Sequence, residues 1–513
     1  MRDHPYRFII CLLVFFPQLL YGQISPQGQA PSSSADGSMT KLNQELESIS
    51  AALVQTRQQL DQSQQQMQQL QEEMARLRNQ LAALQTSPAV NNEAIGESPA
   101  AGLRERVETL EAQVKLHDQA KVESSSKYPV HLTGLVLFNS FVNRGAVDNI
   151  DLPSIAVIPA AGSNGNVGAT MRQTILGIKG YGPRIAGART SAEVSMDFFG
   201  GIPYTNYGTS SGIVRMRTAN IFMDWDRNSL RVGVEEPLIS PLSPTSYATV
   251  AQPGLAWAGN LWAWAPQLRF AHQFLKSEDQ HFQLELGLLD PPAAGYNAIT
   301  NTFRTPSPGE EANQPAYEGR VSYDRIGVGR GLRIGVGGYY SRQKYLQTAD
   351  MEYPNNRRNN SWAVTTDWRL PFAHRFELSG EGYRGRSLGG LGGGVYKDVL
   401  YGSDPIKGYA TLRGLNDIGG WTQIKSRFGS SLESNAFIGL DNGFAGDFHA
   451  VALPETATAT ELRARNRMAA VNLIYRPRTY LILSPEYRRI WTWPISGTRS
   501  TADVITISMG YEF

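Results

Sequence analysis

The spacing of the connections, more than any single motif, restricts what this chain can fold into. From His131 to Phe513 the sequence reads as about sixteen segments of about 8 to 15 residues in which apolar and polar side chains alternate, among them HLTGLVLFNSFVN, TSAEVSMDFF, GLRIGVGGYY and the final VITISMGYEF. Alternation with a period of two marks a strand with one oily face, because side chains point alternately to the two sides of a pleated backbone. The connections alternate as well. Residues 145–168, 200–213, 242–260, 291–314, 346–359, 387–420 and 442–462 are long, whereas GPRIAG, DRN, KSEDQ, LPFAHR, FGSS and RPR are short. A soluble sandwich has no reason to sort its loops by length. Barrels that span an outer membrane do, with short turns at the periplasmic end and long loops outside. An even strand number then returns the chain to the end at which it entered.

Composition supports many strands and turns: fifty glycines, 22 tyrosines and a charged fraction of 18%. Residues 1–22 carry Arg2 and Arg7, an apolar run from Phe8 to Leu20 and the small residue Gly22, the pattern of a cleaved export signal. The one cysteine, Cys11, lies inside that run rather than just after it, which argues against a lipid anchor, and the mature chain would hold no thiol.

A linker rich in Ser, Pro and Gly at 23–38 leads to residues 39–86, where Leu42, Leu46, Ile49, Leu53, Thr56, Leu60, Ser63, Met67, Leu70, Met74, Leu77, Leu81 and Leu84 are spaced alternately four and three apart. Such a seam predicts a coiled coil, since a disordered spacer would not keep phase. Residues 87–127 interrupt the seam and resume it with Leu103, Val107, Leu110 and Val114; residues 128–513 form the barrel.

Aromatics gather toward strand ends, as in Trp262 and Trp264 or Trp491 and Trp493, where a membrane barrel carries its interfacial girdles. The terminal GYEF, closing on Phe513, looks like the final strand that outer-membrane proteins present to their assembly machinery. An exported coiled coil followed by a sixteen-strand barrel resembles the DcaP-like trimeric porins. The resemblance covers nearly the whole mature chain in architecture and matches no substrate-binding motif residue by residue. It implies a homotrimer in outer-membrane lipid that takes up small organic anions.

Selectivity in such a barrel depends on what lines and narrows the lumen. The loop 240–260, SPLSPTSYATVAQPGLAWAGN, holds no charged residue. Tyr247, Pro253 and Trp257 make it a stiff, neutral constriction if it folds inward; the competing reading is a surface or subunit-contact loop. Residues 128–513 hold 37 Lys and Arg against 32 Asp and Glu, and 31 of those cations are arginine. Arginine grips carboxylates and phosphates with a planar fork. Arg231, Arg269, Arg320, Arg333, Arg369 and Arg488 fall on the polar parity of their segments. Arg172, Arg215 and Arg217 fall near the outer mouth, with their facing open because the pattern changes parity there. Glu193, Asp197, Glu235, Glu285, Glu318 and Asp324 share the lumen. Two readings follow: a ring of cations that favours anions, or a ladder of wall ion pairs around a weakly selective hole.

The residues suggest no enzyme, metal or cofactor. The seven histidines are scattered, GGLGGGV at 389–395 lacks a phosphate-loop context and reads as a flexible loop, and nothing selects a pair such as Ser322 with His272. The expected function is passive diffusion of small hydrophilic solutes, with no role for nucleic acid. The alternative is structural, the coil tethering the barrel to peptidoglycan or another envelope protein.

Overall fold

A computed structural model describes residues 129–513 except 203–211, 277–278, 295–303, 326–330, 346–357, 374, 456 and 459–460. The export signal, the linkers and the coiled-coil seam from Leu42 to Leu84 lie outside the described residues.

The described chain is an antiparallel β-barrel. Its strands are β1 (Val130–Arg144), β2 (Gly165–Thr170), β3 (Ile175–Tyr181), β4 (Arg189–Asp197), β5 (Arg215–Asp224), β6 (Asn228–Glu235), β7 (Ala265–Lys276), β8 (Gln280–Leu289), β9 (Ala316–Arg325), β10 (Leu332–Lys344), β11 (Arg358–Phe372), β12 (Phe376–Arg386), β13 (Val399–Ser403), β14 (Ala410–Gly414), β15 (Asn416–Phe428), β16 (Leu432–Gly443), β17 (Arg463–Arg478), β18 (Leu481–Pro494) and β19 (Ser500–Glu512). Each wall strand pairs with its neighbour in sequence. β2 and β3 are two halves of one strand, since both pair with β1. β13 and β14 form a separate hairpin inside the long connection after β12. The wall therefore has the sixteen strands expected.

Closure is made by β1 on β19, from Leu135 opposite Glu512 to Arg144 opposite Asp503. Phe513 extends the ladder: it exchanges backbone hydrogen bonds with Gly134 at 2.9 and 3.0 Å. Its ring covers the face of Gly134, where an added Cβ would meet a ring carbon at 2.9 Å.

The two faces of each strand have opposite environments. On β19, Ile507 and Met509 are 47% and 53% exposed, whereas Val504 and Ser508 are 1% and 0% exposed. The alternation holds around the wall, so the outward face is a band of aliphatic and aromatic side chains, including Ile178, Val232, Leu286, Val336 and Val471. A closed cylinder leaves no unpaired strand edge, and an apolar outer band fits hydrocarbon.

Two irregularities interrupt the wall, and the second underlies the parity change read in the sequence near Arg215 and Arg217. The second strand is broken at Met171–Thr174, and Gln173 there is fully buried. The register between β4 and β5 shifts at Ser195/Met196, the bulge that sets Arg215 and Arg217 on the same side as Asp197. Bulges re-aim side chains in this way.

Candidate functional site

The connection from β6 to β7, residues 236–264, folds into the lumen and crosses it. Leu242, Leu255 and Ala258 pack on Trp421, Phe437, Met468 and Ile490 of one inner wall. Ile239 and Leu261 pack on Leu289, Tyr339 and Tyr383 of the other. Burying an aliphatic side chain contributes about 1.5–3 kcal/mol, so the loop is held from both sides. It meets β15 and β16 so closely that Gly259 and Gly439 have no room for a Cβ: one at Gly259 would lie 2.7 Å from the Leu440 carbonyl oxygen.

Polar groups of the wall then fix the loop's backbone. Glu381 accepts from Ser240 Oγ at 2.5 Å and Leu242 N at 2.7 Å. Gln423 accepts from Thr245 N at 2.7 Å, and Asn472 donates to Thr245 O at 2.8 Å. Gln173, released by the break between β2 and β3, accepts from Val250 N at 2.7 Å and donates to Ala248 O at 3.1 Å. Buried backbone groups need such partners. Of the three loop residues singled out in the sequence, Tyr247 accepts from Arg476 at 2.9 Å through its hydroxyl. Pro253 accepts from Ala256 N at 3.2 Å. Trp257, at a left-handed φ of 58°, lies 5.4 Å from Tyr396 and 6.4 Å from Trp262.

The connection after β12 also turns inward. GGLGGGV at 389–395, read in the sequence as flexible, is instead packed: Leu391 and Val395 are buried, Gly394 N donates to Asp417 at 2.8 Å and Val395 N to Asp441 at 2.6 Å. Its glycines are needed because a Cβ on Gly389 or Gly390 would strike backbone of Asp398 and of Pro292.

Every arginine singled out for the lumen has a carboxylate within reach. Arg320 is buried between Asp367, at 2.8 Å, and Glu285, at 2.7 Å. Arg488 meets Glu486 at 2.6 Å and the Pro153 carbonyl at 3.0 Å. Arg333 pairs with Asp324, Arg369 with Glu377 at 3.9 Å, and Arg231 and Arg269 with Glu235 at 3.0 and 3.4 Å. Glu193 lies 3.5 Å from Lys179, and Glu318 is buried beside Gly287 and Leu238. At Arg320 and Arg488 the wall is an ion-pair ladder with no cation left over. Ser322 points inward, while His272 shares the outward parity of Leu268 and Phe270 and bonds Asn228 at 2.7 Å, so those two do not form a pair.

Two guanidiniums share one carboxylate at Glu235, and again in a cluster at the mouth by β4 and β5. Arg215 grips Asp197 with two bonds, at 2.6 and 3.1 Å, and reaches Ala251 O at 2.6 Å. Arg217 reaches the same carboxylate at 3.0 Å and Val250 O at 2.7 Å. Both guanidiniums lie over Trp264, 4.8 and 4.7 Å from its centroid. Arg172, paired with Asp151 at 2.6 Å, covers Phe199 at 4.3 Å. Glu236 nearby is raised above the usual carboxylate range by burial, against which the Trp264 N–H and Arg217 act. The Arg215 side chain keeps 26% of its surface exposed although Asp197 keeps none. Here two guanidiniums share one carboxylate, and an aromatic plane lies beneath them. Sequence reasoning noted the arginines but not Phe199 or Lys179, and it read Trp262 and Trp264 as girdle aromatics, whereas both belong to the inward-folded connection, Trp264 beneath Arg215 and Arg217. The parity break opposite Ser195 hid which way β5 faced.

No family model matches the chain, and no curated protein matches it. Solved structures do. The outer-membrane channel DcaP of Acinetobacter baumannii aligns over 76% of this chain and 99% of its own, with 15% identity and a TM-score of 0.54. The barrel has the fold of DcaP. An anion-selective porin from Comamonas acidovorans aligns over 75% of this chain and all of its own, with 12% identity and a TM-score of 0.47. OmpF of Salmonella typhi, solved with daunomycin, gives 12%, 75% and 98% coverage and 0.45.

Proposed function

We propose that this barrel is an outer-membrane diffusion channel through which small solutes pass between the inward-folded loop and the wall of β3–β7, with organic anions favoured. The apolar outer band and the sorted loops support a membrane-embedded barrel with its short turns in the periplasm. The route follows from which side chains the loop leaves wet. Along β15–β19 the inward residues are buried beneath it, whereas Lys179, Glu193, Arg231 and Glu235, on the wall between β3 and β6, stay partly exposed.

The observation that carries the anion preference is the pairing of Arg215 and Arg217 over Trp264 with only Asp197 between them. A solute carboxylate gains a fork donor there, and a flat organic group gains a ring face. Weak, partly solvated contacts of this kind let the solute leave again. Association into trimers, through the outer band or the N-terminal coil, belongs to the same reading, as does recognition of the strand ending at Phe513 by the assembly machinery.

Reversal potential in a salt gradient, measured across planar bilayers holding the purified protein, tests the proposal. Anion preference that falls when Arg215 and Arg217 are changed to glutamine supports it. Folded, heat-modifiable protein with no stepwise conductance would overturn it and favour a barrel that serves as an anchor for the coil.

A further inference from the structure

The outward face of β15–β18 carries a group of arginines at its long-loop end and a hollow beside them. At the long-loop end Arg465, Arg467, Arg489 and Arg499 point outward and lie against tryptophan faces. Arg467 and Arg489 are 5.2 and 5.6 Å from the Trp491 centroid, and Arg465 and Arg499 are 5.5 and 5.4 Å from that of Trp493. Asp503 is 3.7 Å from Arg489; among the described residues Arg467 makes no ion pair. On the lipid side of a barrel a cation is costly at mid-depth and nearly free of cost at the interface, which is also the depth of lipid phosphates.

Directly below these cations the wall is hollowed. The register sets Ala469 between Ile438 and Arg489, and Val471 between Ala436 and Tyr487. Small residues flanked by large ones leave a groove of about 400 Å³ that begins at Trp491 and Arg489. A second, of about 460 Å³, shares Val471 and Tyr487 with it and continues to Pro485 and Ser434. From Trp491 to Pro485 is six strand residues, or about 20 Å, long enough for a fatty acyl chain.

We propose that this face binds a phosphorylated, multiply acylated lipid of the outer leaflet, its phosphate held by Arg467 and Arg489 above Trp491 and one chain lying in the groove. Charge decides for such a lipid over a second copy of this chain. The outward wall of β3–β6 offers Ile178, Val194, Ile221 and Val232, and burying guanidiniums against them without partners is unfavourable. The inference needs the barrel to be membrane-embedded but does not need it to conduct.

The full chain, stripped of native lipid in detergent, is titrated with bisphosphorylated lipid A and with its dephosphorylated form, and bound lipid is read by native mass spectrometry. The expected result is tighter binding of the phosphorylated form. Changing Arg467 and Arg489 to alanine weakens it about 25-fold, from about fivefold for each arginine near a charged lipid surface. Ala469→Trp, which fills the groove and leaves every charge in place, also weakens it, and heat-modifiability shows that both variants are folded. Equal binding of the two lipids, or of wild type and both variants, would overturn the site. So would a cysteine at 469 that maleimide cannot label in the delipidated, assembled protein, which would mark the face as a subunit interface.

Discussion

Gly259 touches the wall at the side opposite the proposed route, and this makes it a sensitive position for testing that route. Its φ is +103°, and a Cβ there would lie 2.7 Å from the Leu440 carbonyl oxygen, with the Gly420 carbonyl nearer still. Ordinary contact begins near 3.4 Å, so Gly259→Ala must lift the loop from β15 and β16 by at least roughly 0.7 Å. In a wall of sixteen strands, the strands facing β15 and β16 across the lumen are β5 and β6. The lifted loop therefore moves toward Arg215, Arg217 and Arg231, and the passage narrows. The left-handed backbone adds a cost of about 1–2 kcal/mol for any residue with a Cβ. Gly408 separates the two effects: its φ is +72° and nothing lies within 4 Å of its Cβ position, so Gly408→Ala carries the backbone cost without the collision. Single-channel recording should show lower conductance for Gly259→Ala and wild-type conductance for Gly408→Ala. Unchanged or raised conductance in Gly259→Ala, from protein shown to be folded, would refute the route along β3–β7.

Asp197→Asn removes the one carboxylate shared by Arg215 and Arg217, so reversal potentials should shift further toward anions; a shift toward cations would show that these guanidiniums do not face the passage. Arg320→Met leaves Glu285 and Asp367 as uncompensated carboxylates and should cost about 3–5 kcal/mol in urea unfolding, most of it recovered when both are also neutralised. Lys397, in the connection after β12, is lowered to about 7 from its usual 10.5, first by burial and then by Arg463. Burial thus opposes the protonated form, so the cost is complete below pH 7 and fades as pH rises from 7 to 10.5. Thermal midpoints should climb through that window, by up to about 4 kcal/mol in stability, and Lys397→Met should flatten the climb. Gly134→Val displaces the Phe513 ring from its seat and should lower the yield of heat-modifiable barrel, without change if closure does not depend on that contact.

The strand number and the inward and outward faces were legible because register leaves no freedom: a one-residue slip would turn Ile505, Ile507 and Met509 inward and Thr506 and Ser508 into lipid. The fate of loop 240–260 was not legible from the loop itself, since a neutral, proline-rich segment suits a surface as well as a lumen. The signal lay on the facing wall. Phe437, Met468, Ile490 and Val504 occupy the inward parity of β16–β19, where water would not favour them, and they pack against Leu242, Leu255 and Ala258. The inward carboxylates and amides among them, Glu381, Gln423 and Asn472, have the loop's backbone as their partner. The buried glycines at 389–395 misled for a similar reason: glycine permits flexibility, but it equally permits backbone to approach backbone.

Charge counts misled in another way. The excess of basic residues in the barrel suggested a positive lumen, yet Arg320 and Arg488 are matched by carboxylates within 3 Å. Cations short of a carboxylate of their own lie at other positions. At the mouth, Arg215 and Arg217 divide one aspartate; on the outer rim, Arg467 and Arg499 lie on tryptophan with no carboxylate among the described residues. The same side-chain chemistry thus meets two kinds of anion, one dissolved and one anchored in the leaflet, and what separates them is strand parity. Even-numbered positions on β18 face the lumen and odd-numbered ones face lipid, so Arg488 braces the barrel's interior while Arg489, the next residue, reaches the membrane surface.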